Sequence, residues 1–236
     1  MITAGIDIGS MTTKGAIVAD GRILATRVRF TGYNAGAAGE KVFRELLDAL
    51  GLEASRVDRV VATGYGRKAA AFAQATVTEI TCHAAGAHHL DPRVRSVIDI
   101  GGQDSKAIAL NPQGKVRDFA MNDKCAAGTG RFLEVMARAM EVDLDAFGAL
   151  SLLSRKPAQI SSTCTVFAES EVISLIAGGE SRENIVAGIH EAVAARVVAM
   201  ARRLGLAAPI MMTGGVAKNA GVVKALEDKL GNVIAV

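Results

Sequence analysis

The sequence is poor in cysteine, proline and aromatic residues. Its 236 residues include three cysteines, four prolines, two tyrosines and no tryptophan. A disulfide framework needs paired cysteines, and an odd number at wide spacing does not fit one. No low-complexity linker divides the chain. The three cysteines therefore need an explanation other than structural disulfides.

Excess charge and long apolar runs are also scarce. The net charge of +3 is too small, and its basic residues too scattered, to predict a nucleic-acid surface. No segment reads as a membrane-spanning helix, and the first residues read as a strand rather than a signal peptide. We therefore expect a cytoplasmic protein with no membrane or nucleic-acid partner. Half of the residues are hydrophobic, enough for one large domain or two small ones.

One short sequence motif occurs twice in the chain. Residues 7–14 read DIGSMTTK and residues 99–106 read DIGGQDSK, so that Asp, Gly and Lys recur at identical offsets. Each copy lies between apolar runs, which predicts a strand, a tight turn and a second strand. Glycine lets backbone N–H groups approach an anion, and an Asp at a strand end can hold a metal ion against phosphate oxygens. The repeat favours two phosphate-binding hairpins over two unrelated hairpins.

A third motif lies late in the chain, where residues 211–219 read MMTGGVAKN. This pattern predicts an apolar strand that ends in a glycine pair and is followed by a helix. Alone, the pair fits ordinary turn chemistry as well as it fits a ligand site. Beside two phosphate hairpins, it indicates that Gly214, Gly215 and Lys218 contact the sugar and base of a nucleotide.

Hydrophobic periodicity predicts an α/β protein built by duplication. The predicted domains are residues 1–91 and residues 92–236, with a boundary near Asp91-Pro92 and a cleft between the halves. Helix starts and stops are marked by polar caps and glycines, as at Ser181. Strands are predicted at 2–8, 15–19, 22–30, 57–62, 95–100, 105–110, 115–121, 209–213 and 232–236. Helices are predicted at 39–50, 129–140, 166–177, 182–204 and 221–230, and the order of elements adds one without bounds between the strand at 57–62 and the second hairpin.

Taken together, the three motifs resemble those of the superfamily of actin, hexokinase and the heat-shock chaperone ATPases. Two cysteine segments narrow the resemblance: residues 122–132 read NDKCAAGTGRF and residues 161–171 read SSTCTVFAESE. These are similar to the activator ATPases (component A) of 2-hydroxyacyl-CoA dehydratases and to the ATPase subunits of benzoyl-CoA reductase. The phrases ATGYGR at 62–67 and IDIGGQD at 98–104 match the same family. The resemblance implies a duplicated actin-like ATPase fold, with two lobes around a nucleotide cleft.

The resemblance covers essentially the whole chain, with one departure. Family members continue past the final strand into a helix rich in Gly and Ala that packs near the adenosine. This sequence stops at Val236. We therefore expect the chain to lack that helix.

The resemblance also implies a site for ATP or ADP with Mg²⁺. Asp7 and Asp99 would organise the metal ion, while Gln103 and Asp104 are candidates for orienting the attacking water. Lys14 and Lys106 would offset phosphate charge, although Lys106 has the alternative of pointing outward from its strand. The implied cofactor-binding residues are Asp7, Gly9, Ser10, Thr12, Thr13, Lys14, Asp99, Gly101, Gly102, Lys106, Gly128, Gly130, Gly214, Gly215 and Lys218.

Cys125 and Cys164 each precede a predicted helix, where the unpaired N–H groups favour a thiolate. Their spacing matches no local metal motif, and buried free cysteines are common, so spacing alone leaves their role open. The resemblance implies that they ligate one [4Fe-4S] cluster shared by two subunits, each supplying two of the four thiolates. Cys82 is interpreted as a buried core thiol and His83 as packed or hydrogen-bonded. His88 and His89 are expected in a solvated loop.

The implied function is an ATP-hydrolysing one-electron donor that works as a homodimer. Reduced ferredoxin or flavodoxin would supply the electron, and an iron–sulfur dehydratase or reductase acting on an acyl-CoA would receive it. One alternative is a small-molecule kinase of the same fold, with Asp104 or Asp123 as the base. Another is a chaperone-like ATPase that reactivates an enzyme without redox chemistry. Iron content separates the redox hypothesis from both.

Overall fold

The structure is a computed structural model that describes residues 1–161 and 164–236. Ser162 and Thr163, which belong to the second cysteine segment, lie outside the described residues. The chain divides into two compact units, Met1–Cys82 and His83–Val236. The division falls inside a helix, whereas the predicted boundary near Asp91-Pro92 follows the end of that helix. The assignment of domains stays a prediction.

The first unit is built on a five-stranded sheet with the order β3-β2-β1-β4-β5. β1, β2 and β3 form an antiparallel meander, and β4 and β5 run parallel to β1. α1 begins where the Asn34 side chain accepts from Ala37 N–H, and it ends at Gly51 in the left-handed conformation. Its elements are β1 (Ile2–Ile8), β2 (Thr12–Ala19), β3 (Arg22–Phe30), α1 (Ala35–Leu50), β4 (Arg59–Thr63) and β5 (Ala75–Thr76).

The second unit repeats this plan with the strand order β10-β9-β6-β7-β8. β6 to β8 are antiparallel, and β9 and β10 run parallel to β6. α2 (Glu79–Leu90) connects the two units along the chain. The other elements are β6 (Ser96–Ile100), β7 (Ser105–Leu110), β8 (Val116–Asn122), α3 (Gly130–Ala139), α4 (Leu144–Ser151), α5 (Thr165–Ala177), α6 (Arg182–Arg202), β9 (Ile210–Thr213), α7 (Ala220–Leu230) and β10 (Ile234–Ala235).

The shared strand order confirms the predicted duplicated α/β fold. In each unit an Asp-bearing central strand lies between the antiparallel hairpin partner and a parallel strand from later in the chain. Each sheet has its own apolar core, with α1 packed on the first sheet and α6 contributing more residues to the second core than any other element. The two predicted hairpins are therefore equivalent positions of one repeated plan.

Several sequence-based expectations were wrong in local detail. α4 was not predicted, and the bounds of α2 were not, because neither carries a long apolar stripe of helical period. His88 and His89 lie in the last turn of α2 rather than in a loop, and only His89 is exposed. Cys82 is half-buried on α2 rather than in a core. β2 begins at Thr12 instead of residue 15, which puts Lys14 inside the strand.

α6 meets the length and hydropathy criteria for a membrane-spanning helix, which no segment was expected to do. By composition and length alone it is a candidate span, but 61% of its most apolar window is buried inside the protein. Ile185, Ile189, Val193 and Val197 form the buried stripe. The helical period of the sequence predicts that Met200 and Leu204 continue this stripe, but both are only partly buried. α6 is thus the central helix of the second core.

Candidate nucleotide and cysteine sites

The first hairpin joins an aspartate and a lysine across neighbouring strands. Asp7 on β1 is the register partner of Lys14 on β2, and Lys14 Nζ lies 3.2 Å from Asp7 Oδ2. The turn between them is closed by Gly9 N–H, which donates to Thr12 O at 3.1 Å. The Asp7 and Lys14 side chains are 33% and 45% exposed. This carboxylate is accessible, and its charge is balanced by one partly solvated cation.

The second hairpin has the same backbone plan but a buried charge cluster. Asp99 and Lys106 are register partners, and Gly101 N–H closes the turn by donating to Asp104 O at 2.9 Å. Lys106 Nζ lies 3.2 Å from Asp99 Oδ2 and 2.9 Å from Asp104 Oδ2. The Lys106 side chain is only 2% exposed. The alternative in which Lys106 points outward is therefore excluded, and Asp104 is held beside it.

A second repeated feature accompanies the hairpins, and sequence reasoning missed it. Thr63 on β4 pairs with Asp7, and Thr213 on β9 pairs with Asp99; each Thr is followed by a glycine of positive φ. A Cβ on Gly64 would lie 2.3 Å from Asp7 Oδ1, and one on Gly214 would lie 2.8 Å from Asp99 Oδ1. Only glycine permits this approach. The repeated Thr-Gly after an apolar strand was the available sequence signal.

The two threonines differ in their hydrogen bonds. Thr213 Oγ1 lies 3.0 Å from Asp99 Oδ1 and 3.0 Å from His83 Nδ1. Thr63 Oγ1 is buried and has no hydrogen-bond partner among the residues that the structure describes. His83 is thus hydrogen-bonded, as predicted. Its contact with the Asp99 network was not predicted, because the two lie on different elements.

The hydroxyl groups expected to cradle phosphate lie in different environments. Ser10 lies in the exposed turn of the first hairpin. Thr13 is fully buried, and its hydroxyl is 3.0 Å from that of Thr31, which donates to Gly9 O. Thr13 therefore braces the turn from inside the unit. Gln103 is exposed in the equivalent turn of the second hairpin.

The loop that carries Cys125 is bonded to the second hairpin. Gly130 N–H and Arg131 N–H, at the start of α3, donate to the carbonyls of Gly101 and Gly102, both at 2.8 Å. Asn122, at the end of β8, donates to Cys125 O at 2.8 Å and accepts from Cys125 N–H at 3.2 Å. It also donates to Ala127 O. The phosphate-type turn and the half-buried Cys125 are therefore parts of one hydrogen-bonded assembly.

Cys164 is the N-cap of α5 and is exposed, which confirms the predicted position just before a helix. Ser161 N–H and Oγ both donate to the Glu171 carboxylate of α5, which ties Ser161 to that helix. Cys125 lies slightly further from α3, ahead of the N-cap Thr129. A thiol at a helix N-terminus suits thiolate chemistry.

The carboxylates and thiols at these sites are the kinds of ligand that Mg²⁺ and an iron–sulfur cluster take. Carboxylates such as Asp7 are the oxygen ligands that Mg²⁺ prefers. Among residues 1–161 and 164–236, no group of three or more His, Cys, Asp or Glu is placed to hold a metal ion. Because the sequence has three cysteines, one chain alone cannot supply the four thiolates of a [4Fe-4S] cluster.

The glycine pair of the third motif is exposed, as a ligand contact requires. Gly214 has φ 89°, and Gly215–Lys218 form a 3-10 turn that leads into α7. The N-cap of α7, Asn219, is held by His190, whose Nε2 lies 3.3 Å from Asn219 Nδ2. His190 Nδ1 lies 2.9 Å from Ser151 Oγ, and burial lowers the pKa of His190 to about 4. Sequence reasoning missed this buried histidine, because nothing in its neighbourhood marks it.

Two sheets of equal strand order, each with a central Asp–Lys hairpin, define an actin-like ATPase fold. A distant likeness supports the class: the ROK hexokinase from Thermus thermophilus has a TM-score of 0.54 at 12% identity. That comparison covers 100% of this chain and 92% of the hexokinase chain, and at this identity it shows the fold alone.

Within this class, the chain belongs to the BadF/BadG/BcrA/BcrD ATPase family, whose sequence model matches residues 4–235. It is 50% identical over 232 residues to the activator of lactoyl-CoA dehydratase from Anaerotignum propionicum, covering 98% of this chain and 89% of that protein. The solved structure of the activator of the 2-hydroxyisocaproyl-CoA dehydratase from Clostridium difficile, with bound ADPNP, is 44% identical with a TM-score of 0.93. The match covers 100% of this chain and 88% of the activator chain.

Proposed function

We propose that this chain is an ATP-hydrolysing one-electron donor that activates a 2-hydroxyacyl-CoA dehydratase or a related acyl-CoA reductase. Family membership supports the ATPase, and the names of the two activators similar to this chain support the class of partner. The single observation that carries the redox part is the bonded assembly of the second hairpin and the Cys125 loop.

In the proposed nucleotide site, each hairpin contributes one carboxylate and one lysine. Mg²⁺, when bound, neutralises phosphate charge. Asp7 and Asp99 would hold it, and Lys14 and Lys106 would balance the remaining negative charge. The exposed turn residues of the hairpins would face the phosphates, with Gln103 and Asp104 orienting the attacking water. Gly214, Gly215 and Lys218 would contact the adenosine.

In the proposed redox site, Cys125 and Cys164 of two copies would hold one [4Fe-4S] cluster, which would serve as a one-electron carrier. The N-terminus of α5 favours negative charge on Cys164. Asn122 fixes both the carbonyl and the N–H group of Cys125, so that residue cannot shift without breaking two hydrogen bonds. A movement of the Gly101 and Gly102 carbonyl groups would displace their hydrogen-bond donors, Gly130 and Arg131, which follow the Cys125 loop in the chain.

The proposed assembly is a cytoplasmic homodimer charged by reduced ferredoxin or flavodoxin. The third cysteine, Cys82, is half-buried on α2 and is not among the proposed ligands. The exposed apolar side chains of α5, the helix that Cys164 caps, suit contact with a second protein surface; they include Val166, Phe167 and Ile173.

Iron and acid-labile sulfide per chain, on protein purified without oxygen, test this function. We expect about two irons per chain and an absorption band bleached by dithionite, as four-thiolate ligation across a dimer requires. Cys125→Ala and Cys164→Ala should each lose the iron, and Cys82→Ala is the matched control that should keep it. ATP hydrolysis with no iron after anaerobic reconstitution would exclude the redox function and favour a kinase or a reactivating ATPase.

A further inference from the structure

His83 lies against the hydrogen bond between Thr213 and Asp99. Its Nδ1 is 3.0 Å from Thr213 Oγ1, and its Nε2 is 3.5 Å from Asp99 Oδ2. We infer that His83 is a positioning residue of the second hairpin, which acts through Thr213 to fix the Asp99 carboxylate. This inference rests on the proposed nucleotide site, in which Asp99 organises Mg²⁺.

The direction of the hydrogen bonds follows from counting protons. Thr213 has a single hydroxyl proton, and the Asp99 carboxylate, paired with Lys106, can only accept it. The contact between His83 Nδ1 and Thr213 Oγ1 must then use a proton carried by Nδ1. The network therefore requires a proton on His83 Nδ1, and the chain of donation runs from His83 through Thr213 to Asp99.

The result is a carboxylate whose two oxygens are both held. Oδ1 accepts from Thr213, while Oδ2 contacts Lys106 and faces the His83 ring. The Asp99 side chain is only 4% exposed. A group that is fixed before the reaction has no reorganisation to undergo as charge develops, so fixing it contributes to the rate rather than to binding alone.

The first hairpin is an internal comparison for this arrangement. Thr63 occupies the position of Thr213, yet its Oγ1 has no partner among the described residues, and Asp7 contacts Lys14 instead. The first unit, Met1–Cys82, contains no histidine at all. The backbone plan therefore does not by itself create the bond from Thr to Asp. What the second unit adds is His83, its first residue, on α2.

The test is steady-state ATP hydrolysis by His83→Ala, His83→Asn and the control His89→Ala, which changes an exposed residue of the same helix. We expect His83→Ala to lower kcat about 10–100-fold, the usual effect of losing a partner that orients a ligand, with KM changed far less. The Asn amide can place a donor near the position of Nδ1, so His83→Asn should recover part of kcat. His89→Ala should match the wild type.

Two further measurements separate positioning from simple instability. In a double-mutant cycle, His83→Ala combined with Thr213→Val should cost little more in kcat than either change alone, because both break one network. Nitrogen-15 NMR of the His83 ring should show a proton on Nδ1.

A wild-type kcat in His83→Ala, additive losses in the cycle, or the Nε2–H tautomer would each overturn the inference. So would a loss in His83→Asn as large as in His83→Ala, with equally lowered thermal stability in both. Failure of the proposed function looks different: a wild-type protein with ATPase activity but no iron removes the redox role and leaves the assignment of His83 intact.

Discussion

The two hairpins share a backbone and differ in what surrounds their charges. In both, an Asp and a Lys are register partners, the turn is closed by the same N–H to carbonyl bond, and a Thr-Gly follows on the parallel strand. Yet the Lys14 side chain is 45% exposed, whereas that of Lys106 is 2% exposed. Duplication has preserved the pairing geometry, and the neighbours of each pair decide its electrostatic environment.

Three neighbours make the second hairpin different. Asp104 stands where the first hairpin has Thr12 and adds a second carboxylate to the buried lysine. Thr213 donates a hydrogen bond to Asp99, and His83 in turn contacts Thr213. The first hairpin thus presents an adaptable carboxylate, and the second presents a fixed one. The lesson is that equivalent residues in a duplicated fold need not have equivalent roles.

The largest expected difference in stability between the two hairpins comes from replacing each lysine. Lys106→Met leaves two carboxylates with little solvent and no lysine between them, so we expect the free energy of unfolding to fall by about 3–5 kcal/mol. The control, Lys14→Met, removes a partly exposed pair and should cost less than about 1 kcal/mol. Urea unfolding followed by circular dichroism measures both. Equal losses would show that the burial of the second pair has no energetic consequence.

The pH dependence of stability distinguishes the two units, because all four histidines lie in the second unit, His83–Val236. Burial lowers the pKa of His190 to about 4 from 6.5, so the unfolded chain binds more protons between these values. Stability from this group is therefore complete above pH 6.5 and is lost as the pH falls towards 4. Between about pH 7 and about pH 5 the expected loss is about 2 kcal/mol.

The contribution of His190 is isolated by repeating the urea titrations with His190→Asn. This variant is less stable overall, since it disturbs the contacts to Ser151 and Asn219, but its stability should vary less with pH than that of the wild type. A pH dependence identical to that of the wild type would contradict the assignment to His190.

The smallest expected effect concerns the paired threonines. Thr63→Val removes a buried hydroxyl that has no described partner, so we expect the unfolding free energy to stay unchanged or to rise by up to about 1 kcal/mol. Thr213→Val removes a hydroxyl with two partners and should lower it by about 1–2 kcal/mol. Thermal and urea unfolding of the two variants, side by side, give the sign of each change. Effects of the same sign would remove the distinction between the two hairpins.

Much of this architecture was predictable from the sequence. The repeated DIG…K phrase, the apolar runs and the polar caps are local signals, and they predicted both hairpins and the helices α1, α3, α5, α6 and α7. α2 and α4 were not predictable in this way, because their helical state depends on packing rather than on a stripe of their own. The cysteine segments carry their signal in their flanking residues, and Cys164 does precede a helix.

By itself, the sequence determined the duplicated α/β plan and the two hairpins that carry the repeated Asp, Gly and Lys, because alternating apolar runs and glycine turns are local signals. Only the tertiary structure decided that Lys106 is buried between two carboxylates, that His83 reaches the Thr213–Asp99 bond, and that Asn122 holds the Cys125 loop. These contacts join residues on different strands, helices and loops. Their distances depend on how those elements pack, and no local pattern in the chain encodes that packing.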